Sequence, residues 1–369
     1  MSRLREMVES HRVIVCCGAG GVGKTTTATG LALAGARSGR RVLALTIDPS
    51  KRLAQTLGVA RNLKEPAPVP HSFLVAAEAT AGSLHAWMLD PQLVADRSVD
   101  KLSPTPAVAA RLKANRMYKQ LARMVAGMQE YTAMEALHGF LDDGAYDLVI
   151  LDTPPSRNAL DFLDGPRRLE RFFDGRIFQL FLPGEKASFI GRAASNLIHR
   201  AMSGVFGEAT YLELQEFFGA FENIMYALTR NALRTREKLS DAETVAFLLV
   251  TSPAPEALED AHLFRHKVED LGLPFGGFVL NRSLAAGVAR VMPDRSMLGD
   301  APTAAEISGL AKLRRLAELE WAAVDEDRAL LAELTERAGP GAVALALPTF
   351  PDGAHDIGGL VQVARSLTA

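Results

Sequence analysis

Eight consecutive residues, Gly18-Ala19-Gly20-Gly21-Val22-Gly23-Lys24-Thr25, constrain this chain more than any other stretch. They fit G-x-x-x-x-G-K-[ST] and lie between an apolar run ending at Cys17 and a helical pattern from about Lys24 to Arg37. The strand-turn-helix context gives the match its weight. Glycines let backbone N–H groups turn inward around phosphate oxygens, and a helix N-terminus adds partial positive charge. Lys24 can then reach the β- and γ-phosphates of a nucleotide, while the Thr25 hydroxyl can ligate Mg²⁺. The candidate phosphate contacts are Gly20, Gly21, Val22, Gly23, Lys24, Thr25 and Thr26. The plain alternative is a glycine-rich turn that binds nothing, and the flanking strand and helix weigh against it.

A second rival is a dinucleotide site, because the same stretch contains G-x-G-x-x-G and Asp48 follows the next apolar run as a ribose-binding carboxylate would. Such a site has no use for a lysine and a metal-binding hydroxyl after its last glycine. The run Asp147-Leu148-Val149-Ile150-Leu151-Asp152 also delivers an acid at its carboxyl end, the arrangement that holds Mg²⁺ or its water beside a phosphate loop.

Short β-rich apolar runs recur at 12–17, 42–47, 73–77, 147–151, 245–250, 277–280 and 343–347, each leading into a helical pattern. That alternation predicts an α/β fold, a mostly parallel sheet flanked by helices, with ligands beyond the strands' carboxyl ends. Two stretches are too long and too helical for simple crossovers. Residues 82–142 include Leu121, Met124, Val125 and Met128 at helical spacing, and 156–242 hold ten of the seventeen phenylalanines. Residues 1–369 therefore read as one domain carrying helical subdomain insertions at 82–142 and 156–242.

With 48% hydrophobic residues, the chain can bury a sizeable core. Its 41 basic and 43 acidic residues nearly cancel, so no direct nucleic-acid binding and no general attraction to anionic membrane is expected. Cys16 and Cys17 are adjacent in an apolar run, where they cannot make a four-ligand zinc site. No window reaches the roughly 18 to 20 apolar residues of a membrane span, nor is there a signal-peptide pattern at the start. A cytoplasmic protein in a reducing compartment, with no integral membrane segment, is the expectation.

Residues 17–27, then Thr46-Ile47-Asp48-Pro49-Ser50, then Asp152-Thr153-Pro154-Pro155 together resemble the deviant-Walker, or SIMIBI, P-loop class. Within it they resemble the arsenite-pump and tail-anchored-protein-targeting ATPases called ArsA and Get3, and the likeness covers most of the chain. The resemblance implies ATP/ADP and Mg²⁺ as cofactors and a switch ATPase whose nucleotide state controls a dimer and the binding of a protein or apolar client. It implies that Asp48 positions the attacking water, and that Asp152 opens a second switch segment sensing the γ-phosphate. The catalytic set is then Asp48, Lys24 and Asp152, and the metal set Thr25, Asp48 and Asp152. It further makes Asn281 the reader of adenine, with Pro348 and Phe350 on the base's other face. Asn at a strand end is also common turn chemistry.

Three features depart from that family's pattern. Ala19 stands where a second lysine would reach a partner's phosphates, Asn158 stands where a histidine is usual, and the C-x-x-C zinc clamp is missing. The protein is then a slow homodimer, a heterodimer with a related ATPase that supplies the lysine, or one that uses Lys51, Arg52 or Arg157 instead. Each of those three also reads as a solvated charge. A weakly hydrolysing regulatory subunit and a partition or positioning ATPase are the alternative functions. The latter is disfavoured by a C-terminal segment, 355–369, whose one fixed cation is Arg365.

For a client, the apolar segment 172–189 and the stripe Phe217, Phe218, Phe221, Ile224, Met225, Leu228 would enclose an apolar helix or form the insertion's own core. The cluster Arg167, Arg168, Arg171, Arg176 reads as a solvated face or a contact for an acidic partner.

Overall fold

Val13-Ile14-Val15-Cys16-Cys17 forms β1 (Val13–Cys17), and all five side chains are inaccessible, as in a strand packed on both faces. The computed structural model describes residues 2–47, 52–60, 65–116, 118, 128–154, 203–204, 207–286, 291–299, 302–350, 354 and 356–369. The other strands are β2 (Arg41–Thr46), β3 (Ala67–Pro68), β4 (Ser83–Met88), β5 (Leu148–Asp152), β6 (Val245–Thr251), β7 (Phe275–Leu280) and β8 (Val343–Ala346). They form one sheet in the order β3-β4-β2-β5-β1-β6-β7-β8. Among the described strands, only the short β3 runs antiparallel to its neighbour.

The helices are α1 (Arg3–Ser10), α2 (Lys24–Arg37), α3 (Arg52–Leu57), α4 (His71–Ala76), α5 (Pro91–Leu102), α6 (Pro106–Ala114), α7 (Met128–Asp143), α8 (Glu208–Leu239), α9 (Pro255–Asp270), α10 (Ala304–Ala338) and α11 (Ile357–Thr368). Strand alternation divides the apolar side chains between two layers. Ile14, Ala44 and Ile150 face a layer built with α1, α2, α3, α4 and α11. Val15, Leu45 and Leu151 face the opposite layer, which takes in α5, α6, α7, α8 and parts of α9 and α10. The expected mostly parallel sheet with helices on both sides is present.

Two readings need correction. Residues 73–76 are not a strand but part of α4, which Ala77 caps, and Phe73, Leu74 and Ala77 are buried at i, i+1, i+4 spacing. The third long strand is instead β4, paired with β2 along its whole length, so the stretch from 82 opens as sheet and becomes helical only at Pro91.

The described helices of the two long stretches pack on one another, with α8 against α5, α6 and α7. Phe217, Phe221, Ile224 and Leu228 are buried in the same cluster as the sheet face, so this part of the stripe is core. Segments 121–127, 156–202 and the side chains of Phe218 and Met225 lie outside the described residues.

Candidate nucleotide-binding site

β1 ends at Cys17 and α2 starts at Lys24, and the six residues between them turn at the carboxyl edge of the sheet. Two glycines there are steric necessities. A Cβ on Gly18 (φ +147°) would lie 2.1 Å from the Val250 carbonyl oxygen. One on Gly23 (φ +94°), the residue preceding α2, would lie 2.1 Å from Asn281 Nδ2. Gly20 and Gly21 are exposed, Val22 is anchored in the apolar layer, and Thr26 is half-buried on the first turn of α2. The Lys24 side chain is buried and folds back across the loop, donating to the Ala19 carbonyl at 2.7 Å.

Parallel pairing of β1 and β5 puts Cys16 level with Asp152, so the acid ends its strand directly beside the loop. Thr25 Oγ1 donates to Asp152 Oδ2 at 2.8 Å, and Thr46 Oγ1 donates to the same oxygen at 3.1 Å. Thr153 Oγ1 donates to the Cys16 carbonyl at 2.9 Å, tying β5 to β1 one residue further on. Asp152 is buried, and a carboxylate beside hydroxyl oxygens is the donor set a hard divalent cation takes. Residues 18–25 and Asp152 thus fit a magnesium nucleotide: the turn is kept open by residues that cannot carry a Cβ, and the oxygens are of the right kind.

Neighbouring thiols take no part. Burial pushes the Cys17 thiol up to about 12 and raises the Cys16 thiol well above its ordinary value, the nearby Asp152 charge adding to the effect at Cys16. Both cysteines are free and inert core residues.

Asn281, just past β7, is buried, and its Nδ2 donates to the Val22 carbonyl at 2.8 Å. One amide proton is therefore committed to the phosphate loop, leaving the carboxamide oxygen and the second proton. Leu347 N donates to Leu280 O at 2.8 Å and Ser283 N to Leu347 O at 2.9 Å, so the loop beginning at Pro348 runs beside the one carrying Asn281. Pro348 and Phe350 are half-buried there, Phe350 against the α2 layer.

Several expected residues cannot be placed. Asp48, Lys51, Pro155, Arg157, Asn158 and the Arg167, Arg168, Arg171, Arg176 cluster lie outside the described residues, as does the side chain of Arg52. Ile47, immediately before Asp48, donates its N–H to Asp152 O at 3.1 Å, which holds the end of β2 at the site. Sequence reasoning gave no role to Thr46 or Thr153, although both stand in the quoted motifs. Their positions, Thr46 two residues before Asp48 and Thr153 next to Asp152, were the available signal.

A profile of the anion-transporting ATPases matches residues 11–292 of the 369. An uncharacterized protein of Streptomyces coelicolor is 28% identical over 324 residues, 86% of this chain and 71% of that one. ATPase ASNA1 homolog 1 of Paramecium tetraurelia is 28% identical over 174 residues, 46% of this chain and 48% of its own length. ATPase GET3 of Malassezia globosa is 22% identical over 276 residues, 75% of this chain and 74% of that one. The matched span starts before β1 and ends beyond Asn281, and on that extent the chain belongs to the anion-transporting ATPase (ArsA) family.

Proposed function

We propose that this chain binds ATP with Mg²⁺ and hydrolyses it, and that the change in phosphate contacts switches a dimer between states that hold and release a client. The observation that carries the reading is the contact of Thr25 with Asp152, which joins the start of the phosphate-loop helix to the end of the neighbouring strand. Thr25 and Asp152 would hold the cation, directly or through its water, and Thr46 keeps the carboxylate turned toward the loop. Bound Mg²⁺ supplies charge neutralisation at the phosphates. Lys24 would exchange its bond to the Ala19 carbonyl for a phosphate oxygen, a short swing that leaves its aliphatic stem in place. Asp48 is proposed, on motif order alone, to orient the attacking water.

A second reading, a weakly hydrolysing subunit paired with a related ATPase, is favoured by one observation. Ala19 packs its methyl group against the apolar layer, so residue 19 offers no charge to a phosphate. Client binding is supported by the outer side of α8, where Leu212, Tyr226 and Leu233 are exposed at multiples of seven residues and so lie on one stripe. No helix among the described residues is long and apolar enough to cross a membrane.

Steady-state ATPase assays on wild type, Lys24→Ala, Asp48→Asn and Ala19→Lys test the proposal. Lys24→Ala should lower kcat/KM by at least about 100-fold, and Asp48→Asn should lower kcat with little change in KM. A large gain from Ala19→Lys would favour the second reading, whereas no change would mean the alanine is compensated. Wild type that neither binds nor hydrolyses ATP, with Asp48→Asn indistinguishable from it, would defeat the proposal.

A further inference from the structure

The turn that carries Asn281 is held from outside by one buried acid. Arg282, the next residue, has φ +60°, a left-handed conformation that a non-glycine residue keeps only when its surroundings impose it. Asp327 on α10 is buried, while its neighbours Glu326 and Arg328 are exposed. Its Oδ2 accepts from Ser283 Oγ at 3.0 Å and from Leu284 N at 2.6 Å, and Ser283 Oγ in turn accepts from Ala285 N at 3.1 Å. Ser283 also reaches the opposite wall of the base site through its N–H to Leu347 O. A single carboxylate therefore anchors both the Asn281 turn and, through Ser283, the loop that begins at Pro348.

An apolar residue at 327 would leave Leu284 N and the Ser283 hydroxyl without this acceptor. The two bonds to Oδ2 hold the turn in one geometry. We propose that Asp327 is a positioning residue for selection of the nucleotide base, setting the distance between Asn281 and Pro348 while touching neither the base nor the phosphates. The inference rests on Asn281 reading the base, the role that the family resemblance implies for it, and adds the residue that makes its placement reproducible.

Calorimetric titration of ADP, GDP and pyrophosphate, each with Mg²⁺, into wild type, Asn281→Ala, Asp327→Ala, Asp327→Asn and Ser283→Ala tests it. Asp327→Ala should lose about tenfold of the preference for ADP over GDP while its pyrophosphate affinity changes by less than about twofold, since only the base end is released. Asp327→Asn should keep most of the preference, because the amide oxygen still accepts both bonds. Ser283→Ala should shift the preference in the same direction as Asp327→Ala, and it decides the matter if Asp327→Ala does not fold.

A uniform loss across all three ligands in Asp327→Ala would show a general structural role and overturn the inference. So would an unchanged preference in Asp327→Ala and Ser283→Ala when Asn281→Ala has lost it. If Asn281→Ala itself keeps the preference, the base-site reading falls and the positioning role falls with it.

Discussion

Gly23 meets two demands at once. Its backbone is left-handed, and the space its side chain would fill is held by the Asn281 amide. Gly23→Ala would cost roughly 1–2 kcal/mol for the backbone alone, and the methyl must also displace Asn281 from the Val22 carbonyl. Denaturant titration should show a stability loss of at least that size, and nucleotide titration should show weaker binding than wild type, because the contact tying the Asn281 turn to the loop is broken. The cysteines make a second prediction at this scale. Because burial raises both thiols, they stay protonated through neutral and mildly alkaline pH, and neither should react with an aromatic disulfide reagent at pH 8 until the protein is unfolded. Labelling of the native protein at the rate of a free thiol would contradict it. The placement of Lys24, Thr25 and Asp152 at a helix start and a strand end was legible from the sequence, because the octet and the apolar runs mark those ends. Asp327 was not, because it meets Ser283 across 44 residues of chain and sits in a helix with no motif around it.

Among the elements, the run at 73–77 shows how a short apolar segment misleads. Five apolar residues suit a strand or a buried helical turn equally, and periodicity over so short a stretch does not separate them. The missed strand β4 carried a readable signal, Leu84 and Ala86 on one face and His85 and Trp87 on the other, obscured by the helical pattern that begins a few residues later at Pro91.

Strands β2 and β5 are also tied at their starts, where Arg41 donates to Asp147 through its backbone N–H at 2.9 Å and its guanidinium at 2.7 Å. Those bonds, the guanidinium's first, hold the Asp147 carboxyl down to about 2 from an ordinary 3.8. A depressed carboxylate stabilises the fold fully above its unfolded value and loses that contribution as pH falls through the folded one. Asp147→Asn should therefore cost no more than about 1 kcal/mol at neutral pH, the pair being partly solvated, and the difference should fade between about pH 4 and pH 2 in denaturant titrations. A gap that persists at pH 2 would refute the assignment. On α8, Phe217 is buried and stacks on Phe221 at 5.2 Å, so Phe217→Ala should cost about 3–5 kcal/mol of stability. If this face of α8 opened as a groove in the free protein, the loss would be far smaller.

In the whole molecule, the candidate nucleotide site lies at the carboxyl edge of the sheet, where β5 ends in Asp152, β1 leads into residues 18–23 and β7 leads into Asn281. Loop, acid and base-side turn come from segments as far apart as residues 22 and 281, so occupancy should stabilise the sheet domain as a unit. Ligand at 100 times its Kd adds about 2.7 kcal/mol to the folded state. The parallel sheet and the phosphate end of the site follow from alternation and one octet. How the helices of α5 to α8 close on the sheet depends on long-range packing that no local pattern encodes.

The most direct measurement is calorimetric titration of ADP into wild type and Lys24→Ala, with and without Mg²⁺. The expected result is one nucleotide bound per chain, with affinity lowered by about tenfold or more when either Lys24 or Mg²⁺ is removed. Failure of wild type to bind, or equal affinity in all four titrations, would contradict the assignment of residues 18–25 and Asp152 as the nucleotide site.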